Sequence, residues 1–279
     1  MIEHFFIYNN KVYPANFAVI TAGNRSLRYG DGLFETMKMV RGNIINKEFH
    51  FERLFNGLSL LQFEFPKAFN VLFLEKKIKQ IAAKNKEDHM ARIRLMLFRG
   101  DGGIFDIENL LPNYIIETSV LPYEEQLNKA GLIVDVFPDA RKSCDFFSNL
   151  KSNNYLPYVM AGLHAKKNKL DDCIVLNSSE RICDSAIANI FIINDNNIYT
   201  PPLTEGCVAG VTRRWMLEKF DLKKYHVIEK ELSINDVYNA DEFFLTNAIS
   251  NLRWVKKFRD KNYGNKKIKE IYSHMLQTI

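Results

Sequence analysis

The chain predicts a two-domain protein of the α+β (mixed α/β) class. Three observations carry this. Its 279 residues exceed one minimal core and suit two modest domains. Runs of period two and runs near period 3.6 interleave, without the strict alternation of a doubly wound sheet. A change of character after Pro122 places a linker near residues 120–130, giving a smaller first domain over 1–120 and a larger second over 121–279.

The elements follow in order. The opening MIEHFFIYNNKVYPANFAV reads as two short strands around an Asn-Asn turn. Residues 33–40 and 43–47 form a hairpin turning at Arg41-Gly42. Residues 50–63 set Phe51, Leu54, Leu58 and Leu61 on one helical face, and 69–85 make a second amphipathic helix. RIRLMLF at 92–98 alternates as a strand does, and 114–121 is another strand, stopped by Pro122. Beyond the linker come a strand at 131–137, a helical pattern at 152–168 and strands at 172–176 and 189–194 with polar turns between. Helices at 208–220 and 266–278 complete the series. No internal repeat or low-complexity tract appears.

Composition narrows the function classes. Hydrophobic residues make up 47% and charged residues 25%, as in ordinary globular proteins. No apolar run approaches the roughly 18 residues of a membrane span, and the N-terminus lacks the order of a signal peptide. The net charge of +5 sits in lysine-rich helical stretches, which are solvated faces rather than a nucleic-acid footprint. Cys144, Cys173, Cys183 and Cys207 lack redox or metal-ligand spacing, so free thiols in a reducing, cytoplasmic setting are expected. The six histidines are scattered, without HExxH, and no metal site is expected.

Four places can carry chemistry. In TEGCVAGVTRR at 204–214, Gly206 and Gly210 loosen the backbone before an apolar-periodic helix, which suits an anion; an ordinary capped helix start fits as well. There is no GxxxxGK[ST], and GDGGIF at 100–105 lacks the third glycine of a dinucleotide loop. Lys151, flanked by Leu150, Tyr155 and Leu156, can condense with a carbonyl if its pocket is partly apolar; a solvated surface lysine is the plain alternative. Asp184, in a short polar break between strands, suits a pyridine nitrogen or simply a turn. Arg53, on an amphipathic helix, forks onto a phosphate if it faces inward.

Taken in order, these segments resemble the class IV (fold-type IV) pyridoxal-phosphate aminotransferases. That family includes branched-chain aminotransferase, D-amino-acid aminotransferase and aminodeoxychorismate lyase. The matching stretches are RSLRYGDGLFETMK at 25–38, HFERL at 50–54, KSNNYLPYVMAGLHA at 151–165, CDSAIANIFIINDNNIYTPPL at 183–203, AGVTRR at 209–214 and ADEFFLTNAIS at 240–250. The resemblance implies a two-domain D-amino-acid aminotransferase-like fold and pyridoxal 5′-phosphate as cofactor. It implies Lys151 as the catalytic lysine carrying that cofactor. It further implies Arg53, Tyr155, Asp184, Gly210, Val211, Thr212 and Asn247 as cofactor-binding residues, and a homodimer. Where the family has glutamate opposite the pyridine nitrogen, this chain has Asp184, about 1.5 Å shorter in reach.

The substrate-facing positions implied by the same likeness are Phe34, Thr36, Arg94, Ile104, Ala248 and Ile249. Ile104, Phe105 and Asp106 stand where the D-amino-acid enzymes carry an Arg-x-His pair, so that carboxylate trap is missing. Ile104 and Arg94 resemble the branched-chain enzymes, whereas Thr36 and the Asn247-Ala248 pair resemble the lyase. The expectation is an aminotransferase moving the amino group of a small apolar or aromatic L-amino acid to a 2-oxo acid. Aminodeoxychorismate lyase, releasing pyruvate and 4-aminobenzoate, is the first alternative. A catalytically impaired PLP-binding protein is the second, and a sugar-phosphate or nucleotide binder using the 206–212 turn is the third.

Overall fold

The computed structural model describes residues 4–105, 109–122 and 126–278. The chain divides into two compact units, Met1–Tyr123 with Lys151–Asn154, and Glu124–Leu150 with Tyr155–Ile279.

The first unit is built on one antiparallel sheet. Its elements are β1 (Phe5–Tyr8), β2 (Lys11–Pro14), α1 (Arg25–Tyr29), β3 (Gly32–Val40), β4 (Asn43–Ile44), α2 (Lys47–Leu60), α3 (Val71–Lys84), β5 (Met90–Phe98) and β6 (Asn113–Val120). The strand order is β2-β1-β6-β5-β3-β4. Arg41 and Gly42, both at positive φ (48° and 75°), make the tight turn whose twist suits a two-residue hairpin. Register sorts the side chains onto two faces. Leu33↔Leu97↔Tyr114 and Met37↔Ile93↔Thr118 lie on one face, which α2 and α3 cover with Phe51, Leu54, Leu58, Leu74, Ile78 and Ile81. Each such side chain contributes about 1.5–3 kcal/mol on burial. Phe34↔Met96, Thr36↔Arg94↔Glu117 and Lys38↔Arg92 occupy the opposite face.

Residues 151–154 were expected in the second domain, inside the helical pattern beginning at 152. They lie outside any helix, joined to β3 by an isolated bridge, and belong to the first unit. Phe34 N donates to Lys151 O and Asn153 N donates to Gly32 O, both at 2.9 Å, with Leu33 bridging Ser152 in antiparallel sense. The helix starts only at Leu156, where Pro157 occupies its first turn without removing an intrahelical hydrogen bond. Gly32 permits the close approach: a Cβ there would stand 2.3 Å from Leu97 O and 2.5 Å from Asn153 Nδ2.

The second unit holds β7 (Leu132–Lys142), α4 (Leu156–Lys167), β8 (Asp172–Asn177), β9 (Ile182–Ser185), β10 (Asn189–Asn194), β11 (Asn197–Thr200), α5 (Val211–Glu218), β12 (His226–Glu229), α6 (Ile234–Asn239), β13 (Glu242–Asn247), β14 (Asn251–Phe258), β15 (Lys261–Asn262) and α7 (Lys266–Thr278). Its mixed sheet runs β12-β11-β10-β13-β14-β7-β8-β9, with β15 on β14. Leu132, Val134, Ile174, Ile190, Ile192, Phe243, Leu245 and Val255 form the main core. Phe137, Cys173 and Val175 pack with Tyr158, Ala161 and Ala165 of α4 as a second cluster.

Two departures from sequence expectation shape this unit. The strand expected to end at 137 continues to Lys142, across a register shift between Val136 and Arg141 that accommodates Pro138. Asp184, expected in a polar break, lies within β9 opposite Val175 and is buried. A strand forms there because hydrogen bonds satisfy its polar members, so hydrophobicity is not needed to keep the segment inside.

Candidate functional site

In the first unit the predicted residues gather at the start of β3. Lys151 Nζ lies 4.4 Å from the centroid of the Phe34 ring, and the Arg94 guanidinium lies 4.3 Å from the same ring. Each cation is attracted to the negative face of the ring. Thr36 follows on the same sheet face, directly opposite Arg94. One end of this face therefore joins a nucleophilic amine, an aromatic wall, a hydroxyl and a guanidinium.

Arg53 faces inward, as its predicted role requires, and meets a carboxylate. Its Nε and Nη2 donate to Glu35 Oε1 and Oε2 at 2.7 and 2.6 Å, a two-pronged pair. His50 donates from Nδ1 to Glu35 Oε2 at 2.7 Å, since an ionised carboxylate only accepts. Burial pushes the Glu35 carboxyl up, but Arg53 and His50 pull it down further and hold it at about 2. Burial lowers the His50 pKa, against the pull of the Glu35 carboxylate and with the help of the Arg53 and Lys151 charges. Glu35 and His50 thus fix the arginine. Sequence reading missed both, although their place inside the GDGLFET and HFERL stretches was a usable signal.

Ile104 is exposed in a turn. Asp106 lies outside the described residues.

In the second unit Asp184 is the centre. Its Oδ2 accepts from Tyr158 Oη at 2.7 Å and from Val208 N at 2.8 Å, and its Oδ1 accepts from Asn189 Nδ2 at 2.8 Å. Lys142 Nζ stands 3.6 Å from Oδ2. Burial raises the Asp184 pKa, opposed by Lys142 and by the three hydrogen bonds. The Tyr155 ring lies tilted against Tyr158 with ring centroids 4.4 Å apart, which links it to the same carboxylate.

Asn189 also donates to Val208 O at 2.9 Å and so holds the loop before α5. Gly210, the N-cap of α5, is pressed against it: a Cβ at Gly210 would lie 1.8 Å from Asn189 Oδ1. No side chain caps α5 at that end, and the helix begins with Val211 and the buried Thr212. A helix start of this kind favours an anion through its N–H groups and macrodipole. Asn247 is used locally. Its Oδ1 accepts from Ile249 N, Ser250 N and Ser250 Oγ at 2.9–3.0 Å, and its Nδ2 donates to Ile187 O at 3.4 Å. That network fixes the turn carrying Ala248 and Ile249.

Lys142, Tyr158, Asn189 and Thr246 escaped the sequence reading. Lys142 sits beyond a strand-breaking proline, and the other three resemble core or turn residues in isolation. Among the described residues no cluster of His, Cys, Asp or Glu is placed to hold a metal ion, and no helix is long and apolar enough to cross a membrane.

Comparison with known proteins bears on this arrangement. Residues 32–258 match the model for amino-transferase class IV. The chain is 27% identical to aminodeoxychorismate lyase from Vibrio harveyi over 237 residues, covering 82% of this chain and 84% of that one. It is 25% identical to a putative branched-chain-amino-acid aminotransferase from Methanocaldococcus jannaschii, covering 94% and 91%. A solved structure of a hypothetical aminotransferase from Mycobacterium tuberculosis, in its PLP-bound form, superposes with a TM-score of 0.83 over 98% of this chain and 97% of that one. At 16% identity that last likeness speaks to the fold.

The residues present fit pyridoxal phosphate. Lys142 Nζ and Thr246 Oγ1 are buried polar atoms without a hydrogen-bond partner, an arrangement that native interiors avoid unless something else meets them. Thr246 pairs with Asn189 across β13 and β10, and α5 packs on β13, so the orphaned hydroxyl belongs to the neighbourhood of the uncapped helix. An acidic centre, an uncapped helix start and unmet polar atoms suit a cofactor with a basic ring nitrogen and a phosphate.

Proposed function

We propose, from the premise that this chain belongs to the amino-transferase class IV family, that it moves the amino group of a small apolar or aromatic L-amino acid to a 2-oxo acid. Enzymes of this family depend on pyridoxal phosphate. The cofactor, when bound, supplies an electron sink for the pair released as the substrate Cα–H bond breaks. Lys151 would hold it covalently, and its Nζ, as a free amine, would take the Cα proton.

The observation carrying this reading is the Phe34 ring flanked by Lys151 and Arg94. The aromatic wall orients an apolar side chain, and the guanidinium suits the substrate carboxylate. Asp184, held by Tyr158 with Tyr155 against it, would meet the ring nitrogen and favour its protonation. The α5 start, through Gly210, Val211 and Thr212, would hold the phosphate. Arg53 adds a phosphate contact whose position Glu35 and His50 fix, and Asn247 shapes the turn that presents Ala248 and Ile249.

A second reading, aminodeoxychorismate lyase, has its own support: the Thr36 hydroxyl sits opposite Arg94, where it can relay a proton, and the turn after β13 carries Asn247-Ala248. The same enzyme is read as a cytoplasmic homodimer. Four free cysteines accord with a reducing compartment. Leu156, Val159, Met160 and Leu163 form an exposed apolar row along α4 that suits a second copy.

A product panel tests the choice. Branched-chain and aromatic L-amino acids, D-alanine and aminodeoxychorismate are offered separately. Oxo-acid formation from the L-amino acids, lost in Lys151→Ala, is the expected result. Pyruvate release from aminodeoxychorismate alone would replace the transaminase reading with the lyase. Light scattering at the molecular mass of one chain would remove the homodimer.

A further inference from the structure

Asp184 poses an electrostatic question. It is buried, and its hydrogen-bond donors, Tyr158 Oη, Val208 N, Asn189 Nδ2 and, at 4.0 Å, Cys183 Sγ, carry no net charge. Neutral donors orient a carboxylate, but a full countercharge is what most directly favours ionisation of a buried acid. Lys142 supplies one. Its ammonium is buried, lies 3.6 Å from Asp184 Oδ2 and makes no hydrogen bond; it also lies 5.1 Å from the centroid of the Tyr158 ring. An ammonium in that position acts through its charge rather than by donating a proton to the acid.

The other titratable groups around Asp184 are neutral near physiological pH. Burial raises the Tyr158 hydroxyl, facing it from α4, and the Cys183 thiol, beside it on β9, well above their ordinary values. Cys207, from the loop before α5, is pushed up to about 12. Lys142 is therefore the cationic side chain that faces Asp184 in this cluster, 3.6 Å from its Oδ2. The lone pairs tell where the acid is still open. Oδ2 is taken by Tyr158 and Val208, with the Cys183 thiol beside it, whereas Oδ1 accepts from Asn189 and has a second acceptor direction.

We propose that Lys142 is a positioning residue that keeps Asp184 ionised, leaving Oδ1 to receive the protonated ring nitrogen of the cofactor. This rests on the reading of the chain as a pyridoxal-phosphate enzyme that uses Asp184 at the ring nitrogen. The extension of β7 past Pro138 brings Lys142 there, pairing it with Asn177 on β8 while Val175 of β8 pairs with Asp184. With one proton shared between acid and ring nitrogen, a cation beside the acid drives that proton onto the nitrogen. Without Lys142 the proton returns to Asp184.

The test uses pyridoxal-phosphate-loaded protein, wild type beside Lys142→Gln, Lys142→Arg and Asp184→Asn. Borohydride reduction comes first. Cofactor mass on the Lys151 peptide of the wild type upholds the underlying reading, and its absence there sinks that reading whatever Lys142 does. With ring-¹⁵N cofactor, the wild type is expected to show a pyridinium shift near pH 7.5, and Lys142→Gln and Asp184→Asn a neutral-pyridine shift. Lys142→Gln should also lower kcat by about tenfold with little change in KM, and move the acid limb of kcat up by about one pH unit. Lys142→Arg should restore both within about threefold. A Lys142→Gln protein with a wild-type nitrogen shift and acid limb overturns the proposal, as does failure of arginine to restore them. Should Lys142→Gln not fold, the wild type alone decides by ¹³C-carboxyl NMR: Asp184 ionised at pH 6 is expected, and Asp184 protonated at pH 7 refutes it.

Discussion

Replacing Gly32 by alanine probes how the lysine segment is held. The added methyl would lie 2.3 Å from Leu97 O, 2.5 Å from Asn153 Nδ2 and 2.9 Å from Phe98 Cβ, where ordinary contact begins at 3.4 Å. Leu97 O is backbone within β5, paired on both sides, so it cannot step aside cheaply. The start of β3 or the 151–154 segment must instead move by about 1 Å, given close-packed surroundings. That stretches two hydrogen bonds of 2.9 Å, Asn153 N to Gly32 O and Phe34 N to Lys151 O, toward breaking. At about 1–2 kcal/mol for each backbone group left poorly paired, the loss is about 2–4 kcal/mol. Lys151 moves with this segment, and a 1 Å misplacement of a reacting group lowers the rate by about 100-fold. Urea unfolding measures the first quantity, and the rate of covalent pyridoxal-phosphate capture on Lys151 measures the second. A Gly32→Ala protein with wild-type stability and a capture rate within threefold of wild type would refute the reasoning.

Two further changes separate the remaining parts of the site. Glu35→Gln should remove an acid transition: with its folded pKa near 2 against 4.5 unfolded, Glu35 contributes about 3 kcal/mol above pH 5 that disappears as pH falls from 4.5 toward 2. The variant should be less stable at pH 7 and show a flatter stability profile below pH 5, and an unchanged acid slope would exclude the Glu35–Arg53–His50 account. Gly210→Ala displaces Asn189, so it should weaken pyridoxal phosphate binding by tenfold or more, at about 1.4 kcal/mol per tenfold. Affinity for unphosphorylated pyridoxal should fall less; equal losses for both would mean that the α5 start does not hold the phosphate.

Period-two and period-3.6 signals made the β3–β4 hairpin, α2, α3 and the β5 and β6 strands legible, because one face of each is buried and the other is not. α1 gave no such signal: five residues with none buried carry no apolar stripe, and the element stands on the Asn24 side chain accepting from Ser26 N and Leu27 N. β9 was hidden for the opposite reason, since all four of its residues are buried and two of them are polar. Lys151, Arg53 and Asp184 stood out by motif, but their surroundings did not. Glu35 alternates with apolar neighbours on a core-facing row, where a charge is tolerated only because α2 sends Arg53 and His50 to meet it. Lys142 depended on a strand crossing Pro138, which local propensity argues against.

The pairing of residues 151–153 with the start of β3 also bears on biogenesis. β4 accompanies β3 only at Met39 and Val40, so the strand's opening residues wait for a later partner. Residues 124–150 must leave the ribosome before that partner arrives. A nascent chain halted at 123 therefore exposes Phe34 N–H and Gly32 C=O as a short, unpaired edge, open to misplaced strands until synthesis reaches 154.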